Sequence, residues 1–314
     1  MPHVLTHNVQ QLVIPRMTEI IASVECEARA ALHPVHTGKT NWNSVSNAVA
    51  LAGTLGHLKV ENYIRKLLEL PQEDLVLSPG DKIIYDHITN NDEGTKWLNE
   101  YVETAFKNFL SWCYDFRPKF VVPEISMIYL DEVDGKVNQA TSCKGTVDLI
   151  CELDPSKMSQ KAKAILPIKE PSTLMLDWKT GVAKLDSHQY QLEGYKWLFE
   201  VSGKLEELTN KGIINLPWAT IETDGSVHPV AMCVRLGGTW TYMADAYPVN
   251  TGNFDRARKL FLKAKPIVRT QSEKYGERVF REGYHCVFCP YKNDGCPIFT
   301  VTNIQLEDIK SARS

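Results

Sequence analysis

GTVDLICEL (residues 145–153), STLMLDWKTG (172–181) and QLEGY (191–195) decide how this chain is read. In the first stretch Asp148 stands inside an apolar run, Val147-Asp148-Leu149-Ile150, with the aliphatic and β-branched character of a strand, predicted over Thr146–Leu153. A carboxylate in such surroundings is costly to bury unless a metal, a charge or hydrogen bonds compensate it. In the second stretch Thr173–Trp178 reads as a strand ending at Asp177, and Lys179 follows two residues later. Strand side chains alternate between faces, so Asp177 and Lys179 share one face. Two acids and a lysine on neighbouring strands are the parts that phosphodiester cleavage requires. Carboxylates hold hard cations such as Mg²⁺ or Mn²⁺, which polarise a phosphate and acidify a bound water. An ammonium orients that water or stabilises the charge developing on the phosphate. A D-x-K pair alone is an ordinary surface feature; the specific signal is the order G-T-V-D, strand, D-W-K-T-G, helix with Q-L-x-x-Y.

Outward from this centre the strand pattern continues. Phe120–Val122, Ile125–Leu130, 216–222 and 227–236 read as strands, with hairpin signals at Asp134-Gly135 and Asp224-Gly225. Helical spacing flanks them. A helix is predicted from Pro15 to residue 32, a second from Ser46 to Leu70 stopped by Pro71, and others over 187–201 and 254–265. The clearest covers 95–114, where Trp97, Leu98, Tyr101, Ala105, Phe106, Phe109, Leu110 and Cys113 recur at three- and four-residue steps. The expected fold is α/β (α+β), a mixed central sheet flanked by helices. It is read as one domain over 1–314, with a helical part at about 1–115, a core at about 116–240, and a C-terminal helix and cysteine cluster at about 250–300.

The chain has 314 residues, 43% hydrophobic and 23% charged, with a net charge of -3, so any basic surface must be local. It contains no apolar run of about 18 residues and no basic start followed by an apolar core at the N-terminus. An intracellular, cytoplasmic protein without membrane spans is expected, and disulfides are not. Cys113, Cys143, Cys151 and Cys233 read as buried free thiols. Cys286, Cys289 and Cys296 form C-x₂-C-x₆-C, a spacing for metal or cluster ligation that lacks a local fourth ligand. Zinc would accept a Cys or a His there, with His33, His36 and His285 available; a [4Fe–4S] cluster would take a fourth cysteine.

These motifs resemble the RecB-like branch of the PD-(D/E)XK nuclease superfamily. The matching residues are Gly145 and Asp148, then Asp177, Lys179, Thr180 and Gly181, then Gln191 and Tyr195. Asp177 stands where the superfamily more often has Glu. The resemblance implies a restriction-endonuclease-like core in which Asp148, Asp177 and Lys179 are catalytic, and Gln191 and Tyr195 position the substrate or the core. The family also carries a histidine on an upstream helix in a G-x-x-x-H context. Here GTLGHLKVE supplies Gly53, His57 and Glu61, which share one helical face, and His57 would be a further metal ligand through a neutral imidazole nitrogen. Glu124 precedes Asp148 much as a strand acid does in some relatives. A subset that includes AddB and CRISPR-associated exonucleases places one cysteine before the histidine motif and three near the C-terminus. Cys26, Cys286, Cys289 and Cys296 fit that layout and would hold a [4Fe–4S] cluster, although the last spacing is longer than usual and Cys26 lacks the customary following Pro-Arg.

The expected activity is a Mg²⁺- or Mn²⁺-dependent deoxyribonuclease, an exonuclease on single-stranded DNA or DNA ends, with helicase, recombination or CRISPR complexes as partners. The alternative is a catalytically silent DNA-binding or complex-forming subunit with a structural zinc site. Two lysine-bearing stretches are candidates for phosphate contact or for plain solvation. One is 155–171, with Lys157, Lys161, Lys163 and Lys169. The other is the helix running to residue 269, with Arg256, Arg258, Lys259, Lys263, Lys265 and Arg269.

Overall fold

The computed structural model describes residues 14–18, 20, 21, 45–138, 141–180, 187–223, 225–237, 241–249 and 252–260. The chain divides into two compact units. One is Met1–Lys39 with Met127–Gly145 and Thr251–Ser314; the other is Thr40–Ser126 with Thr146–Asn250. The described elements are α1 (Val45–Leu67), α2 (Pro79–Thr89), α3 (Asp92–Phe116), β1 (Lys119–Tyr129), β2 (Glu132–Val133), β3 (Lys136–Val137), β4 (Cys143–Leu153), α4 (Gln160–Ile165), β5 (Ser172–Lys179), α5 (Ser187–Val201), α6 (Lys204–Asn210), β6 (Thr220–Thr223), β7 (Ser226–Arg235) and β8 (Met243–Pro248). Residues 252–260 are helical as well. This is a mixed α/β protein with a mixed sheet flanked by helices. Among the described residues no helix is long and apolar enough to cross a membrane.

The sheet runs in the order β1-β4-β5-β7, and β7 then pairs with β6 and with β8. β4 and β5 are antiparallel, whereas β5 and β7 are parallel and joined through α5 and α6. A parallel pair needs such a crossover, which is why a helix follows the Asp177–Lys179 segment. One face of the sheet presents Leu149, Cys151, Leu174, Leu176, Trp178, Met232 and Val234 to a core shared with α1 and α3. On α3 the buried stripe is Leu98, Ala105, Phe109, Trp112 and Phe116. The predicted stripe was displaced toward Trp97 and Leu110, which are exposed; the rings that make the core sit nearer the helix end. Trp178 packs edge-on against Phe109 and Trp112, with centroids 5.4 and 5.2 Å away. Each such pair adds about 0.5–1.5 kcal/mol beyond its area burial. Because Trp178 is anchored on this face, its neighbours Asp177 and Lys179 are held on the other.

Several elements depart from the sequence expectation. The two strands expected around Pro123 are one, β1, with Glu124 at φ +48° inside it. α2 is an unpredicted helix, opened by Ser78, whose hydroxyl accepts from the Asp81 N–H, and by Pro79 at its start. The lysine-bearing excursion contains α4, and α6 and β8 also went unpredicted. The strand expected over 216–222 begins at Thr220, with Trp218 bridging Thr173. In the other unit Asp134 and Gly135 turn the β2–β3 hairpin with φ of 51° and 71°, the positive pair that a two-residue turn of this hand requires. There Lys144 donates to the Pro15 carbonyl at 3.0 Å, and Ile14, Met17, Ile20 and Ile21 are buried.

Candidate active site

The carboxyl end of β5 gathers most of the residues that the motifs single out. Leu149 pairs with Leu176 across β4 and β5, which sets Asp148 beside Asp177 on the face opposite Trp178. The Trp178 N–H donates to Asp148 Oδ2 at 2.5 Å. Asp177, only 5% exposed, is held from two sides: Lys179 Nζ lies 2.6 Å from its Oδ2, and Gln191 Nε2 donates to its Oδ1 at 3.3 Å. Gln191 also donates to the Tyr195 hydroxyl at 2.6 Å. The four-residue spacing puts Gln191 and Tyr195 on one face of α5, one turn apart. His57 reaches the same place from α1, with Nδ1 3.8 Å from Asp148 Oδ2.

Gly53 explains how α1 comes so close. A Cβ on Gly53 would stand 2.4 Å from the Thr180 hydroxyl. On the other side of the same strand end, a Cβ on Gly237 would stand 1.6 Å from the Thr180 carbonyl oxygen. That oxygen accepts from the Tyr101 hydroxyl. Leu236 N–H donates to the Lys179 carbonyl at 2.7 Å, and Asn108 Nδ2 donates to the Leu236 carbonyl at 2.7 Å. The backbone that carries Lys179 is thus gripped by α1, α3 and β7 together.

Charge in this pocket is out of balance. Burial, followed by repulsion from Asp177, raises the Asp148 carboxyl well above the ordinary range, with Glu124 adding to it. Glu124 is pushed up to about 7 by burial, then by Glu61 and Asp177. Burial works against the Lys179 ammonium, yet Asp177 and Asp148 hold its pKa above the usual lysine value. Burial lowers His57 to about 4 despite Asp177, so its imidazole is neutral at neutral pH and keeps a lone pair. Asp148 and Asp177 beside one ammonium, with Glu124 within electrostatic reach of both and two of the three carboxyls forced toward the protonated form, are a donor set that a divalent cation would complete, and their oxygens suit Mg²⁺ or Mn²⁺. Among the described residues no three His, Cys, Asp or Glu side chains are already clustered as an ion would hold them; here Lys179 and the Trp178 N–H take up carboxylate oxygens instead.

Gly145 lies on β4, three residues before Asp148. Cys26, Cys286, Cys289 and Cys296, with His33, His36, His285 and Gly181, lie outside the described residues. Cys143, Cys151 and Cys233 are buried free thiols and Cys113 is a partly buried one. The four excursion lysines lie between β4 and β5, at the end of β5 away from Asp177. Lys157 pairs with Asp154, Lys161 with Asp115 and Lys169 with Glu222.

The sequence reading leaves out His188 and Arg235 and gives Cys233 only as a buried thiol. Cys233 and Arg235 face Asp177 and Lys179 across the parallel β5–β7 register, and His188 Nδ1 lies 3.5 Å from Cys233 Sγ. The signal was available: C-V-R ends an apolar strand as D-W-K does. Set against protein-family models and curated proteins the chain matches none.

Proposed function

We propose that this chain is a metal-dependent DNA nuclease with a PD-(D/E)XK-type core. The observation that carries the reading is the meeting of Asp148, Asp177, Lys179, His57 and Gln191 at one strand end, with more buried carboxyl groups than Lys179 alone can keep ionised. The mixed sheet flanked by helices is the fold class that the resemblance implies. Asp148 and Asp177 would hold Mg²⁺ or Mn²⁺ with the neutral His57 as a further donor, and the ion would polarise the phosphate and lower the pKa of a water. Lys179, kept protonated by the two aspartates, is the cation for charge developing on the phosphate. Gln191 fixes the Asp177 carboxylate and hands a second hydrogen bond to Tyr195, which makes α5 a positioning element. The preference for single strands or ends, and a [4Fe–4S] cluster on Cys26, Cys286, Cys289 and Cys296, belong to the same proposal and rest on the motif resemblance.

The test is incubation of the purified protein with labelled single- and double-stranded DNA, with Mn²⁺ or Mg²⁺ and with EDTA. Cleavage should require the metal. It should vanish in Asp148→Ala and Asp177→Ala and fall by about a hundredfold or more in Lys179→Ala. Cleavage by Asp177→Ala at the wild-type rate would sink the site assignment. Metal-independent binding without any cutting would favour the silent DNA-binding subunit.

A further inference from the structure

Arg235 ends β7 one strand away from Lys179. The parallel register pairs Asp177 with Cys233 and Lys179 with Arg235, so the four side chains stand on one sheet face. The Arg235 side chain is 7% exposed, and its Nη2 contacts Asp245 Oδ2 at 3.0 Å. Its Nε–H is buried and has no hydrogen-bond partner. A guanidinium presents five donors in a rigid fork, and Asp245 answers only part of it. Buried donors left unpaired are few in folded proteins, so the Arg235 Nε–H is a free donor for an acceptor that binds beside it. Lys179 and Arg235 also act on a common neighbour, His188, which is buried at the start of α5. Two cations from adjacent strands therefore stand at register-paired positions on the sheet face that carries the candidate catalytic carboxylates.

We infer that Arg235 is a phosphate-binding residue of the candidate active site, taking the phosphodiester group next to the one held at Lys179 on a bound DNA strand. This rests on the nuclease reading and adds a contact to it. Neighbouring sheet strands are about 4.8 Å apart, a spacing that two consecutive phosphates of one extended strand can span with help from side-chain length. The planar fork suits two oxygens of a phosphate, which an ammonium meets only as a point charge.

The test is equilibrium binding of a fluorescent single-stranded oligonucleotide in Ca²⁺ across a salt series, with turnover measured separately in Mn²⁺. Arg235→Gln should weaken binding about tenfold, the size of one charged hydrogen bond. The slope of log affinity against log salt should flatten by about one unit. Cleavage at sub-saturating DNA should fall in step with the affinity. Arg235→Lys keeps the charge and the Asp245 pairing but not the fork, and should fall between Arg235→Gln and wild type. Asp245→Asn leaves the guanidinium in place and should bind as tightly as wild type or tighter. Wild-type affinity and salt slope in Arg235→Gln or Arg235→Lys would overturn the inference. So would a loss in Asp245→Asn equal to that in Arg235→Gln, which marks the pair as structural. A wild-type protein that cuts DNA while Arg235→Gln binds it unchanged removes this contact alone; a wild-type protein that neither binds nor cuts removes the nuclease reading with it.

Discussion

Glu124 follows Pro123 within β1 and takes φ +48°, a left-handed conformation that costs a residue with a side chain roughly 1–2 kcal/mol. The strain accompanies a carboxyl within electrostatic reach of Asp148, Asp177 and Glu61. The resulting linkage has a definite sign. Folding raises Glu124 from its ordinary 4.5 to about 7, so the folded state keeps a proton that the unfolded state has released. Its contribution to stability is complete below about pH 4.5 and is lost as pH rises through about 7. His57 works the other way, since a pKa lowered to about 4 favours the folded state more as pH rises toward 6.5. In EDTA, the melting temperature of Glu124→Gln should therefore gain on wild type steadily between pH 4.5 and 7.5, and the difference between the curves isolates this one group. Curves that stay parallel over that range would remove Glu124 from the pocket. At this scale Asp148, Asp177 and Lys179 were legible because strand alternation and a misplaced charge announce themselves in one short stretch. Arg235 was legible in the same way, ending its apolar strand as Lys179 does; His188 was not, because its partners lie on other elements.

The glycines of α1 separate two kinds of helix contact. Gly53 has no room for a methyl group, because its Cβ would meet the Thr180 hydroxyl at 2.4 Å. Gly56 has room, since its Cβ would rest 3.5 Å from both Ala105 and Thr180. Alanine is the better helix former by roughly 1 kcal/mol. Gly56→Ala should thus be neutral or raise stability by up to about that amount. Gly53→Ala forces the buried Thr180 aside, and overpacking of this kind costs about 1–3 kcal/mol. It should also lower cleavage activity, because Thr180 adjoins Lys179. Urea unfolding of both variants checks the contrast, and equal stabilities would refute the close approach of α1 to β5. The shared face of Gly53, His57 and Glu61 could be read from helical spacing. The reason for Gly53 could not, because Thr180 is distant in sequence. Long elements such as α3, β4 and α5 were legible from periodicity. The short helices α2, α4 and α6 were not, for two or three turns carry too few apolar positions to show a period, and α4 buries only Ala162.

The mixed α/β class could be read from the alternation of strand and helix patterns, but the division into two units could not. Each unit is discontinuous in sequence, and β1 and β4 each contribute residues to both, so no linker composition marks a boundary. The cysteines are the opposite case: C-x₂-C-x₆-C is plain in the sequence, and it bears on how the two ends of the chain are joined. A [4Fe–4S] cluster on Cys26, Cys286, Cys289 and Cys296 would close nearly the whole chain into a loop, and cross-links over long loops restrict the unfolded chain most. Four thiolates on iron give a brown protein with broad visible charge-transfer absorption, whereas zinc, with a filled d shell, is colourless. Replacing any of the four by Ser should bleach the protein and lower its melting temperature, with activity falling in consequence. Cys113→Ser, outside the set, should leave the colour unchanged. Anaerobic purification followed by iron, sulfide and zinc analysis decides the identity of the group. One zinc per colourless chain would end the iron–sulfur assignment in favour of a site completed by His33, His36 or His285. A protein that stays brown in Cys26→Ser would keep the cluster but take away its fourth ligand, and with it the closure of the chain on itself.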